Sequence, residues 1–134
     1  MRSIPGLKSK TASQAFTLLI VEDDASLRNL LERYLTQMAY SVIAESNACA
    51  ALETLEQHRD QIALIMTDVS LPGMDGYQLL EKVRQDYPHI PVIFMTGLGG
   101  DPDSPNDDLQ PDALLKKPIS LAEIKIAIEE ILLK

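Results

Sequence analysis

The sequence predicts an α/β fold in which helices cover both faces of a parallel sheet. Five short apolar runs alternate along the chain with stretches whose apolar residues recur every three or four positions. Several runs are apolar at consecutive positions, as is typical of strands buried on both faces. Alternation of strand and helix requires crossover connections, which are right-handed in nearly all parallel sheets. The predicted strands are residues 17–21, 41–44, 62–66, 92–95 and 113–115.

Two helices are predicted before the third strand, each from apolar residues at helical spacing. The apolar face of the first consists of Leu27, Leu30, Leu31, Tyr34, Leu35 and Met38. The second begins at an Asn47 cap and has a face of Ala48, Ala51, Leu52 and Leu55. Cys49 lies in this alanine-rich helix and is predicted to be a small core residue.

Two further helices follow the third and fifth strands. The face of the first of these consists of Leu79, Leu80, Val83 and Tyr87, and Pro88 ends the helix. The last helix starts with a capping box formed by Ser120 and Glu123. It is expected to bury Leu121, Ile124, Ala127, Ile128 and Ile131.

The segment between Gly97 and Asp112 interrupts the alternation where a fourth helix in chain order would fit. It contains three prolines, and each interior proline would cost a helix about 3 kcal/mol or more. Four aspartates lie in the same segment. We expect a mobile acidic loop with at best a short turn at residues 106–109, so that this helix is short or disordered.

Composition narrows the class of protein. The 134 residues suit one domain, with residues 1–15 as a flexible N-terminal extension and residues 16–134 as the folded part. A net charge of −8 disfavours binding to nucleic acid or to an anionic membrane surface. One cysteine and two histidines allow neither an internal disulfide nor a zinc site, and no apolar run is long enough to span a membrane. We expect a cytoplasmic protein.

Polar side chains follow four of the predicted strands. Glu22 and Asp23 come after the first strand, Asp68 after the third, Thr96 after the fourth and Lys117 after the fifth. Ligands of open parallel sheets bind at the carboxyl ends of the strands, so these side chains are expected to share one site. Clustered carboxylates repel one another, and a hard divalent cation such as Mg²⁺ relieves that repulsion. A cation, a lysine and a hydroxyl around one carboxylate suit stabilisation of phosphoryl oxygens about a nucleophilic aspartate.

Four segments resemble the receiver domains of two-component response regulators. They are LLIVEDD at residues 18–24, MTDVSLPGMDG at 66–76, FMTG at 94–97 and KKP at 116–118. The resemblance covers residues 16–134 and implies a flavodoxin-like sheet of strand order 2-1-3-4-5. It also implies that Asp68 accepts a phosphoryl group from a phosphohistidine of a sensor histidine kinase or a histidine phosphotransfer domain. A monomer or weak dimer is expected.

The resemblance further assigns roles to individual residues. Asp23 and Asp68 are expected to bind Mg²⁺ directly, Glu22 through water, and Ser70 through its backbone carbonyl. Thr96 is expected to hydrogen-bond a phosphoryl oxygen, and Lys117 to pair first with the carboxylate and then with the phosphate. The Lys117–Pro118 peptide is expected to be cis.

The sequence also departs from the family pattern. Leu114 stands where receivers usually have a tyrosine or phenylalanine, and Ile119 where phenylalanine is frequent. The loop that replaces the fourth helix is similar to that of receivers fused to hybrid histidine kinases. These changes leave the phosphorylation chemistry intact but make the usual output surface an open question.

Two other functions are compatible with the residues. An interaction module that no longer uses phosphorylation could keep the fold, although it would have no reason to keep the charged cluster. An Mg²⁺-dependent hydrolase could use Asp68 as nucleophile, but Ser70 stands where such enzymes usually carry a second acid. We therefore expect a signalling receiver and not an enzyme.

Overall fold

The computed structural model describes residues 16–97 and 102–133. Five parallel strands form one sheet in the order β2-β1-β3-β4-β5, which confirms the predicted class and strand order. The strands are β1 Thr17–Val21, β2 Ser41–Glu45, β3 Ile62–Asp68, β4 Val92–Thr96 and β5 Ala113–Lys116. The helices are α1 Ala25–Gln37, α2 Ala48–His58, α3 Gly76–Asp86 and α4 Leu121–Leu132. The predicted extension at residues 1–15 lies outside the described residues.

Alternate residues of the central strands point into two aliphatic layers, one on each face of the sheet. In β1, Leu18 and Ile20 pack with residues of α1 and α4, while Leu19 and Val21 pack with residues of α2 and α3. All four side chains are fully buried. The consecutive apolar residues of the first predicted strand therefore reflect burial on both faces.

The helix starts follow the sequence signals. Asn47 caps α2 by accepting a hydrogen bond from the Ala50 N–H at 2.8 Å. Ser120 and Glu123 form the predicted capping box of α4. A second capping box, between Asp75 and Gln78 at the start of α3, was not predicted.

Three of the core predictions are wrong. Cys49 is exposed, because it lies one position, and hence about 100° of helical rotation, away from the buried face that begins at Ala48. Leu121 is 42% exposed because it occupies the first position of α4, ahead of the buried face at Ile124 and Ile128. Leu30 is also exposed, next to the buried Leu31.

The segment between β4 and β5 contains no helix over its described residues 102–112, in agreement with the prediction. A turn at residues 106–109 is closed by a 2.8 Å bond from the Leu109 N–H to the Asn106 carbonyl. Residues 98–101 lie outside the described part, and the expected mobility of the loop stays a prediction. The end of the loop is held by Arg84 of α3, which donates to the Gln110 carbonyl and the Asp112 carboxylate at 3.0 Å each.

Candidate functional site

The register of the sheet brings the predicted site residues to one edge. Val21 pairs with Thr67, Asp68 with Met95, and Thr96 with Lys116. The four site residues that directly follow these paired positions therefore lie at the carboxyl end of the sheet, where parallel strands leave a crevice for ligands. They are Glu22, Asp68, Thr96 and Lys117.

Three carboxylates converge at this edge. Glu22, Asp23 and Asp68 each offer an oxygen, and these oxygens lie within 4.8 Å of one another. Glu22 is 1% and Asp68 5% exposed, whereas Asp23 is open to solvent. Carboxylate oxygens of this number, with one side open to water, fit a hard divalent cation such as Mg²⁺. The residues present thus fit the predicted metal.

Lys117 reaches into the cluster from the end of β5. Its Nζ lies 2.6 Å from Asp68 Oδ2 and 3.1 Å from Glu22 Oε1. Burial disfavours the charged amine, but the hydrogen bonds with Asp68 and Glu22 outweigh burial and raise the pKa of Lys117. The ammonium group is therefore charged at neutral pH and neutralises part of the carboxylate charge.

Glu22 has the most perturbed environment of the three acids. Burial away from water raises its pKa from 4.5 to about 7, and the negative charge of Asp68 adds to the increase. The Asp24 N–H, 3.0 Å from Glu22 Oε2, and the amine of Lys117 lower this pKa in part. Without a cation, burial therefore favours the protonated form of Glu22 more than in a solvent-exposed glutamate.

Two further predicted site residues, Ser70 and Thr96, lie at the same edge of the sheet as the acidic cluster. Ser70 donates its backbone N–H to Asp68 Oδ1 at 3.2 Å, while its role as a carbonyl ligand of the metal stays a prediction. Thr96 ends β4 at the same edge, and its backbone carbonyl accepts a 2.8 Å bond from the Lys117 N–H. The predicted bond from its hydroxyl to a phosphoryl oxygen also stays a prediction.

The turn after Asp68 depends on glycines. Gly73 has a φ of +78°, a left-handed conformation that favours glycine. At Gly76, a Cβ atom would lie 2.7 Å from both the Asp68 carbonyl oxygen and the Val69 Cα, so no larger residue fits without a shift. The Lys117–Pro118 peptide is cis, as predicted.

One contact of the site was missed from the sequence. Arg28 of α1 donates from Nη1 to the Glu22 carbonyl at 2.7 Å and lies 3.5 Å from the Asp23 carbonyl. A lone arginine on a polar helix face reads as a solvated charge, so no pattern in the sequence pointed to this contact.

Comparison with known proteins agrees with the site. Residues 18–129 match the sequence model of the family described as the response regulator receiver domain. The chain belongs to this family. The receiver is therefore a domain of two-component signalling, with the acidic cluster where its relatives typically bind Mg²⁺.

Similar proteins include both response regulators and a kinase. Response regulator protein FleR of Pseudomonas aeruginosa is 44% identical over 85 residues, covering 63% of this chain and 18% of FleR. Sensor kinase CckA of Brucella abortus is 33% identical over 130 residues, covering 95% of this chain and 14% of CckA. The receiver thus spans less than a fifth of either relative.

The solved structures support the fold. A response regulator receiver domain protein from Clostridium thermocellum superposes with a TM-score of 0.79 at 23% identity, covering 87% of this chain and 94% of that one. At this identity the likeness speaks for the fold alone. Within the described part of the receiver, no helix has the length and apolar character that a membrane span requires.

Proposed function

We propose that the receiver accepts a phosphoryl group on Asp68 from a phosphohistidine of a sensor histidine kinase or histidine phosphotransfer domain. The observation that carries this proposal is the environment of the Asp68 carboxylate. One of its oxygens accepts a hydrogen bond from the Lys117 ammonium at 2.6 Å, and the carboxylates of Glu22 and Asp23 lie beside it.

The transfer is a displacement at phosphorus. A carboxylate oxygen of Asp68 attacks the phosphorus atom, a P–O bond forms, and the P–N bond to the donor imidazole breaks. The imidazole leaves with the electron pair of that bond and takes up a proton from the solvent. Lys117 turns from the carboxylate to an oxygen of the bound phosphoryl group, and the Thr96 hydroxyl donates to another. Both contacts stabilise negative charge on the transferred group.

The acidic cluster is proposed to hold Mg²⁺ through Asp23 and Asp68 directly, Glu22 through water, and the Ser70 carbonyl. When bound, the cation supplies positive charge that offsets the repulsion between the acids and the phosphoryl oxygens. Asp23 is the exposed one of the three acids, so it offers an oxygen that solvent ions can reach.

The receiver is proposed to act in the cytoplasm as a signalling domain and not as an enzyme, as a monomer or weak dimer that binds no nucleic acid. Phosphorylation is proposed to act through a conformational shift, and the donor to dock on α1 and the neighbouring loops.

Leu114, which replaces the usual aromatic residue, is half exposed on β5. An aromatic ring that rotates inward is therefore not available at this position.

A phosphorylation assay tests the proposal. The protein is incubated with a small phosphodonor such as acetyl phosphate and Mg²⁺, and its intact mass is measured. A gain of one phosphate is expected, which disappears in Asp68→Asn and with excess chelator. Asp75→Asn is the matched control, since Asp75 caps α3 and lies outside the acidic cluster. A phosphate that survives Asp68→Asn or chelation contradicts the proposal.

A further inference from the structure

The side chain of Arg28, on α1, reaches back to the backbone of the acidic turn, residues 22–24, between β1 and α1. Its Nη1 atom lies 2.7 Å from the Glu22 carbonyl and 3.5 Å from the Asp23 carbonyl. We propose that Arg28 is a positioning residue that fixes this turn so that the Glu22 and Asp23 carboxylates converge on Asp68. The inference rests on the proposed function, because it concerns the affinity of the same site for Mg²⁺.

Several hydrogen bonds hold the acidic turn against α1, and Arg28 provides those nearest to β1. The Asp24 N–H donates to Glu22 Oε2 at 3.0 Å, and the Asp24 side chain accepts the Leu27 N–H at 3.1 Å. The Arg28 N–H donates to the Asp24 carbonyl at 2.9 Å. These bonds hold Asp24, whereas the carbonyls of Glu22 and Asp23 are held by the guanidinium of Arg28. Both contacts are made by the same Nη1 atom, which the long arginine side chain places beside the two carbonyls.

Charge and position act in opposite directions here, and this makes the inference testable. A positive side chain beside a cation site repels the cation, so Arg28 as a mere charge weakens Mg²⁺ binding. Removing that charge would then tighten binding by at most about a few-fold, since the group is partly solvated. As a positioning residue, Arg28 has the reverse effect. Outer contacts that orient metal ligands typically change affinity by about tenfold or more when they are lost.

The experiment compares three variants of the chain by calorimetric titration with MgCl₂. Arg28→Met removes the charge and the hydrogen bonds but keeps much of the apolar stem. Arg33→Met removes the same charge from an exposed position on the same helix. Arg28→Lys keeps the charge on a shorter side chain, which places its nitrogen farther from the two carbonyls.

We expect the dissociation constant of Mg²⁺ to rise about tenfold or more in Arg28→Met. It should rise less in Arg28→Lys and change by no more than about a few-fold in Arg33→Met. In phosphorylation by acetyl phosphate, the Mg²⁺ concentration for half-maximal rate should rise in the same order, while the rate at saturating Mg²⁺ stays within about threefold of the wild type. Equal or tighter Mg²⁺ binding in Arg28→Met overturns the inference.

The controls separate three kinds of failure. If the wild-type protein binds no Mg²⁺ and takes up no phosphate, the proposed function fails. If the wild type does both and Arg28→Met matches it, only the positioning role fails. A merely structural role lowers the metal-free unfolding temperature of Arg28→Met without changing the Mg²⁺ affinity of the folded protein, and this also overturns it. Should Arg28→Met not fold, unchanged affinity in Arg28→Lys contradicts the proposal.

Discussion

Lys117 Nζ lies 2.6 Å from Asp68 Oδ2, and this bond joins the ends of β3 and β5 across 49 residues of sequence. The same amine lies 3.1 Å from Glu22 Oε1, so one cation is shared by two buried acids. An incoming metal ion and Lys117 therefore neutralise the same negative charge. Removing the lysine should therefore affect Mg²⁺ binding differently from removing a metal ligand.

Lys117→Ala should leave Mg²⁺ affinity equal or slightly tighter, because a competing positive charge is removed. The variant should nevertheless lose the structural response to a phosphate mimic, since the charge-assisted bond to the phosphoryl group is gone. Calorimetric titration with MgCl₂, followed by hydrogen exchange with and without beryllofluoride, measures both effects. Lys116→Ala, at the exposed neighbouring position, is the control and should change neither. Loss of Mg²⁺ binding in Lys117→Ala argues against this role.

Mg²⁺ should raise the unfolding temperature of the wild-type protein, because a ligand that binds only the folded state stabilises it by mass action. At a concentration of about 100 times the dissociation constant, the gain is about 2.7 kcal/mol. Asp23→Asn should remove most of this gain, whereas Asp60→Asn, an exposed acid outside the cluster, should keep it. Thermal unfolding with MgCl₂ or with chelator measures the difference. A full Mg²⁺ effect in Asp23→Asn means that the metal lies elsewhere.

The raised pKa of Glu22 predicts the pH dependence of stability without metal. The folded protein keeps a proton on Glu22 up to about pH 7, whereas the unfolded chain releases it near the ordinary pKa of 4.5. The contribution of Glu22 is therefore fully present below pH 4.5 and is lost as the pH rises through about 7. Denaturant unfolding with chelator should give a wild-type free energy that falls relative to Glu22→Gln between pH 5 and 8. Parallel curves for the two proteins would contradict the assignment.

Gly76→Ala should destabilise the protein, although alanine usually favours a helix by about 1 kcal/mol over glycine. The added Cβ would meet the Asp68 carbonyl oxygen and the Val69 Cα at 2.7 Å, and both are backbone atoms that cannot yield cheaply. We expect a loss of about 1–3 kcal/mol in the free energy of unfolding and slower phosphorylation of Asp68. Gly97→Ala is the control, since its Cβ would meet nothing within 4 Å. If the two variants lose equal stability, the close approach at Gly76 is not the cause.

Local signals were enough to predict most of the fold. The apolar run of β1 has the predicted bounds, and the caps at Asn47 and Ser120 lie where the sequence places them. The buried faces of the helices were harder to predict, because the spacing of apolar residues shows that a helix has an apolar face but not which residues at its margins are buried. Leu121 and Cys49 continue an apolar pattern in sequence yet point to solvent.

The site could be predicted only as a set of residues. The strand ends bring Glu22, Asp68 and Lys117 to one edge, and the structure joins them by hydrogen bonds. The pKa of Glu22 could not be predicted, because it depends on burial that follows from the packing of the whole domain. The contact of Arg28 with the Glu22 carbonyl depends on the direction of a long side chain, which composition and spacing do not specify.

The connection between β4 and β5 has no helix in its described residues, and its return to the sheet depends on Asp112. One oxygen of this residue, Oδ2, accepts the buried Val92 N–H at 2.8 Å and the Arg84 guanidinium at 3.0 Å. Losing Asp112 leaves the Val92 N–H at the start of β4 without its acceptor, whereas losing Arg84 removes a half-exposed ion pair and a hydrogen bond to the carbonyl of the exposed Gln110. The two partners of this carboxylate therefore contribute unequally.

Asp112→Ala should lower the free energy of unfolding by about 1–3 kcal/mol, the cost of an unsatisfied buried donor. Arg84→Ala should cost less, about 0.2–1 kcal/mol for the solvent-exposed ion pair, because water can replace Arg84 at the exposed Gln110 carbonyl. Asp112→Asn keeps an acceptor for the Val92 N–H and should fall between the two. Denaturant unfolding gives the free energies, and hydrogen exchange at the Val92 amide should be faster only in Asp112→Ala. Because the Arg84 bond is secondary, a greater loss in Arg84→Ala than in Asp112→Ala would show that the ion pair, and not the strand amide, holds this end of the loop.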